Sequence, residues 1–127
     1  MNVAVVDASA LAAVLFDEPE AQPVRASIRS RLVAPGLIRY ELASVCATKM
    51  LRHPERAQDL RQRHALLDAL QIDLIEPEWA GLPDLALRWA LSAYDAAYLQ
   101  LALELDAPLI TLDARLAAAH DAATGRP

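Results

Sequence analysis

Four carboxylates stand out by their surroundings in the chain: Asp7 in VVDASAL, Glu41 in IRYELAS, Asp95 in SAYDAAYLQLA and Asp113 in LITLDARL. Each lies beside a small residue or at the edge of an apolar segment. An ionised carboxylate costs free energy to desolvate unless something pairs with it. The strongest reason to gather four is to hold a hard divalent cation. Mg²⁺ and Mn²⁺ prefer oxygen ligands, and Mg²⁺ usually combines a few carboxylates with waters and a substrate phosphate. The chemistry indicated is metal-dependent attack on a phosphate ester.

Ordinary structural roles are open to three of the four. Asp7 and Asp113 can cap the helical segments that follow them, and Ser92-x-x-Asp95 has the spacing of a capping box. Glu41 is different, because it lies mid-helix with Leu37 and Val45 four residues to either side and so shares their apolar face. Its structural alternative is a boundary position or an internal pair with an arginine. Capping explains three residues one at a time, whereas a shared cation explains all four. Ser9, two residues after Asp7, and Thr111, two before Asp113, carry hydroxyls suited to orienting the acids or touching water at the metal; capping and strand packing are their alternatives.

The elements that must position these groups alternate along the chain. Residues 2–6 read as a buried strand ending at Asp7, and residues 8–16 as a helix. A second helix starts after Glu18-Pro19, with proline in the first turn. A short strand is expected at 31–34, closed by Pro35-Gly36, then a strongly periodic helix at 37–51. His53-Pro54 breaks it and opens a polar, arginine-rich helix to about residue 70. A strand at 72–76, helices at 83–91 and 94–106, a buried strand at 108–112 and a helix at 114–122 follow, before a Gly-Arg-Pro tail. The order β-αα-β-αα-β-αα-β-α implies a parallel sheet with helices on both faces. Ligands of open α/β sheets bind at the carboxyl ends of the strands. Asp7 and Asp113 follow strands, and Glu41 and Asp95 face inward from helices, so all four can converge there.

Bulk properties fit this picture. A chain of 127 residues with 55% apolar and 23% charged residues is expected to be one globular domain, residues 1–127. No apolar run approaches the roughly 18 residues of a membrane span, and the N-terminus lacks the flank of a signal peptide, so a cytoplasmic protein is expected. Cys46 is the single cysteine and reads as a small buried hydrophobe. The net charge of −5 argues against a nucleic-acid partner until the acids are located, since four of the negative charges belong to the constellation above. Of the 12 basic residues all but Lys49 are arginine, the better residue for phosphate. Arg52, Arg56, Arg61 and Arg63 read as a solvated helical face. His53, His64 and His120 show no ligand spacing, and Trp79 and Trp89 read as core or interface anchors. With only Gly36, Gly81 and Gly125 there is no glycine-rich phosphate loop.

Taken in order, VVDASAL, the Tyr40-Glu41-Leu42-Ala43 helix, YDAAYLQLA and LITLD resemble the PIN-domain ribonucleases, and most closely the VapC-like toxins of toxin–antitoxin pairs. The resemblance spans Asp7 to Asp113. It implies a three-layer α/β/α sandwich with a central parallel sheet, an acidic Mg²⁺ or Mn²⁺ site, a homodimer, an RNA substrate and a cognate VapB-like antitoxin. By position, Asp7, Glu41, Asp95 and Asp113 match the family's acidic quartet. Asp7 and Asp95 would be the principal metal ligands, Glu41 would hold or position water, and Asp113 would assist a second or weaker ion. The reaction implied is hydrolysis of an RNA phosphodiester. The chain departs from some relatives in having Ala114-Arg115-Leu116 after Asp113, and Tyr98 where a further helical acid would add a ligand, so it offers less to a second ion. A haloacid-dehalogenase phosphatase would need an aspartate at the position of Ser9. The alternative of another class is a catalytically silent PIN-like module that binds RNA or protein; a second alternative keeps the chemistry but changes the biology, as an RNA-processing nuclease without an antitoxin.

Overall fold

A computed structural model of the chain describes residues 2–125. Arg126 and Pro127, the end of the expected tail, lie outside the described residues. Four strands form a wholly parallel sheet: β1 (Val3–Val6), β2 (Arg31–Ala34), β3 (Asp73–Leu74) and β4 (Leu109–Ile110), in the spatial order β3-β2-β1-β4. Central position explains composition. β1 has a neighbour on each side and is Val-Ala-Val-Val, its last three residues fully buried, as a strand covered on both faces requires.

The edge strands are shorter than the sequence suggests. Residues 72–76 and 108–112 each yield only two ladder residues. Leu74 and Ile75 are exposed, and Leu109 and Ile110 are half-buried, so β4 is not the buried strand expected. An edge strand has one ladder to sustain it and ends where its single neighbour ends. One backbone bond, from Ile75 N–H to the Ala34 carbonyl, carries the β2–β3 pairing one step further.

Among the described residues seven helices connect and cover the sheet: α1 (Ala8–Leu15), α2 (Ala21–Ser27), α3 (Leu37–Arg52), α4 (Ala57–Ala65), α5 (Leu82–Trp89), α6 (Ala93–Leu105) and α7 (Ala114–Ala123). The second of these starts at Ala21, so Pro19 precedes it and Pro23 occupies its first turn. The helix expected from His53-Pro54 to about residue 70 is broken into a 3₁₀ turn (Pro54–Arg56), α4 and a second 3₁₀ stretch (Leu66–Leu70). Proline at the first position of that turn lacks only a donor the turn does not use.

Helix α1 packs on α2 and α3, and α3 on α4, while α6 packs on α5, α7, β1 and β4. The result is the three-layer α/β/α sandwich. Between the layers lie Val5, Val6, Leu11, Ile38, Leu42, Leu99, Leu101 and Leu116, all essentially without exposure. Each such side chain contributes roughly 1.5–3 kcal/mol relative to exposure. Cys46 is a buried free thiol between Met50 and the Leu60 carbonyl, as its apolar surroundings suggest. No helix among the described residues is long and apolar enough to cross a membrane.

Candidate active site

The strand order places a crevice where the candidate acids are needed. From β1 the chain steps outward to β2 and β3, then returns to set β4 on the opposite side of β1. β1 therefore has β2 on one side and β4, reached by the return from β3, on the other, and the gap between the carboxyl ends of β1 and β4 is the topological switch point, where the strand order reverses and where such sheets bind ligands. Asp7 lies directly at the end of β1, its N–H bonded to the Ile110 carbonyl at 3.1 Å. Asp113 comes three residues after β4 rather than at its end.

Asp7 is only 4% exposed, yet every contact it makes suits an anion. Its Oδ1 accepts from Ser9 Oγ at 2.8 Å and from the Ala10 N–H at 3.0 Å, and its Oδ2 accepts from Thr111 Oγ1 at 2.5 Å. The Ala10 bond is an N-cap, so the capping role and the site role belong to the same residue. The positive end of α1 further lowers the cost of keeping a charge there. The two hydroxyls are themselves oriented by backbone: Leu112 N–H donates to Ser9 Oγ and Asp113 N–H to Thr111 Oγ1, each at 3.0 Å. Ser9 and Thr111 thus tie the segment carrying Asp113 onto Asp7. Asp113 caps α7, its Oδ1 accepting from Leu116 N–H at 3.0 Å.

Glu41 and Asp95 come from the two helix layers. Glu41 is half-buried on α3, between half-buried Leu37 and Val45 and above the buried Ile38 and Leu42, as its spacing predicts. Asp95 is half-buried in the first turn of α6, which Ser92 caps by accepting from the Asp95 N–H at 3.0 Å. Burial pushes the carboxyl of Glu41 above its ordinary range, and the charges of Asp95 and Asp7 push the same way. Burial, then Asp113 and Asp7, raise Asp95 likewise, against a weaker pull from Arg115. Glu41 therefore feels Asp95 and Asp7, and Asp95 feels Asp113 and Asp7. An open groove of about 710 Å³ runs past Ser9, Glu41 and Leu112 toward Ser44, Val45 and Glu18.

One functional contact escapes the sequence. Tyr98 is 1% exposed, and its hydroxyl donates to Glu41 Oε1 at 2.5 Å. That bond lowers the Glu41 carboxyl, opposing burial. Burial and the same carboxylates hold the phenol of Tyr98 far above its ordinary range, so it stays protonated. The sequence marks Tyr98 only as standing where a further helical acid would add a ligand, and gives no sign of its bond to Glu41.

The donor set fits a hard cation. All four groups offer carboxylate oxygens, and among the described residues no lysine or arginine forms an ion pair with any of them. Among the described residues no three His, Cys, Asp or Glu side chains stand together as a finished ligand set. Like charges at close range repel unless a cation lies between them. The arrangement is an excess of negative potential at a crevice.

Comparison with known proteins agrees with this architecture. The family model described as PIN domain matches residues 4–121, a span that contains all four acids. A VapC ribonuclease of Mycobacterium bovis and Ribonuclease VapC9 of Mycobacterium tuberculosis are each 36% identical over 118 residues, covering 88% of this chain and 87% of theirs. The crystal structure of PAE2754 from Pyrobaculum aerophilum shares the fold with a TM-score of 0.76 at 22% identity, over 94% of this chain and 84% of that one. With the matched span covering nearly all of the sheet and its flanking helices, the chain belongs to the PIN-domain family and is VapC-like.

Proposed function

We propose that this chain is a divalent-metal-dependent endoribonuclease, the toxin of a VapBC-type pair, which hydrolyses RNA phosphodiester bonds. The observation that carries the reading is the excess of negative charge at the switch point: Glu41 feels Asp95 and Asp7, and Asp95 feels Asp113 and Asp7, with Arg115 a weaker opposing charge and no ion pair to any of the four among the described residues. The VapC relatives are named ribonucleases, which supports RNA as the substrate class. Asp7 and Asp95 would be the principal ligands of Mg²⁺ or Mn²⁺, Glu41 would hold a water in place, and Asp113 would support the edge of the site. The ion, when bound, supplies activation of water and neutralisation of the phosphate. The chain itself contributes the fixed orientation of Asp7 through Ser9 and Thr111, and the open groove that runs past Ser9 and Glu41. A VapB-like antitoxin, a homodimer and a cytoplasmic location belong to the same proposal.

Asp7→Asn tests it. Asparagine keeps an acceptor for Ser9 and Ala10 and remains a good N-cap, so the fold should persist. Cleavage of RNA by the purified protein with Mg²⁺ or Mn²⁺ should fall by roughly 10³-fold, the scale of removing a principal electrostatic stabiliser. Undiminished metal-dependent cleavage by the folded variant would reject the assignment. Expression with and without the neighbouring gene, with RNA 5′ ends sequenced, identifies substrate and antitoxin together.

A further inference from the structure

We infer that Tyr98 is a positioning residue of this centre, one that fixes Glu41 through a single carboxylate oxygen and leaves the other to hold the cation's water. The inference rests on the metal reading above. A glutamate has three side-chain torsions, and Glu41 stands at the mouth of an open groove while Asp7 and Asp95 repel it. Left alone, it would turn toward water. The hydroxyl of Tyr98 holds Oε1 at 2.5 Å.

The anchor is rigid because the ring is enclosed, with Ala97 and Leu99 beside it in sequence also buried. It also bridges the two layers. Glu41 belongs to α3, which packs on α1 and α4, and Tyr98 belongs to α6, which packs on α5, α7 and β1. Asp95 lies one helical turn before Tyr98, so this single bond sets the spacing between Glu41 and Asp95. Asp7 is held by Ser9, Thr111 and a backbone N–H, and Glu41 by Tyr98. A tyrosine at this position therefore supplies order in place of a further ligand.

Isothermal titration with Mn²⁺ on wild type, Tyr98→Phe, Glu41→Gln and the double variant tests the role. Tyr98→Phe should bind Mn²⁺ about tenfold or more weakly, the usual loss when a ligand's hydrogen-bond partner is removed. Its apo Tm should stay close to that of wild type. In the Glu41→Gln background the tyrosine change should cost nothing more, because both act through one contact. Wild-type affinity in Tyr98→Phe overturns the inference, and so does a full additional loss in the double variant. Absence of saturable Mn²⁺ binding by wild type overturns the metal reading itself, a separate outcome. Should Tyr98→Phe not fold, the hydroxyl proton of Tyr98 in wild type can be followed by NMR. It should shift on adding Mg²⁺, and an unmoved signal at saturation overturns the inference.

Discussion

At the carboxyl edge of the sheet, Glu41 and Asp95 have chiefly other carboxylates for charged company, whereas on the outer face of α4 Asp59 sits between Arg56 and Arg63. The same functional group is driven in opposite directions. Burial and like charges raise the first pair. The hydrogen bond from Arg63 at 3.1 Å, with Arg56 assisting, lowers Asp59. Charge that a fold needs for itself is matched on the spot, in water, at little cost. Charge left unmatched and half-buried opposes folding and marks a place where something else is meant to bind. The contrast separates a site from a decorated surface without reference to residue type.

The sharpest way to break this contrast is to supply the missing charge. A ligand that binds only the folded state stabilises it by about 2.7 kcal/mol at one hundred times its Kd. Mg²⁺ or Mn²⁺ should therefore raise the Tm of wild type in a concentration-dependent way, while Asp95→Asn should lose most of the rise. A thermal-shift titration of the two proteins checks this. Equal stabilisation of both would show that the cation sits elsewhere, and the contrast between the regions would lose its functional meaning.

A smaller effect is expected from pH on the metal-free protein. Glu41 and Asp95 are raised in the folded state, so between the unfolded and folded values the native chain binds more protons than the unfolded one. Stability then falls as pH rises through and above the ordinary carboxylate range. In a chelating buffer, Tm should therefore drop by a few degrees at most as pH rises from the ordinary carboxylate range through the raised values of these two acids. Asp95→Asn should flatten the slope and melt higher than wild type at neutral pH. A wild-type Tm that climbs across this interval would mean that the acids are compensated after all.

Much of this was legible from residue order alone. Asp7 could be placed because a β-branched run ending in Asp-Ala-Ser is a strand turning into a capped helix, and Glu41 because an acid four residues from Leu37 and Val45 must share their face. Strands β3 and β4 were overextended because an apolar run reports burial tendency, and the length of an edge strand is set by its neighbour. Tyr98 was missed for a related reason. In the sequence it reads only as the place of a missing acid, because the destination of its hydroxyl depends on how α3 and α6 meet at residues 57 positions apart. The switch point likewise emerges only when β4 is seen to pair with β1. Periodicity specifies faces, and only topology specifies which faces meet.

The smallest effect belongs to the other side of the comparison. Asp59 is lowered by its arginines, so the pair contributes stability that is present above the ordinary aspartate range and lost as pH falls through the lowered value. This sign is opposite to that of the acidic centre. Both arginine contacts are solvent-exposed, with side-chain exposures of 49% for Arg56 and 34% for Arg63, and pairs of this kind contribute little. Asp59→Asn should lower Tm by no more than about 2 °C at low ionic strength, and the difference should vanish in about 1 M salt, where the screening length is roughly 3 Å. Mg²⁺-dependent stabilisation should be untouched, because neither arginine partner belongs to the centre. A melting series with and without salt and Mg²⁺ measures all three at once. A loss of Mg²⁺ response in Asp59→Asn would mean that α4 and the carboxyl edge of the sheet communicate, and that paired and unpaired acids are parts of one device.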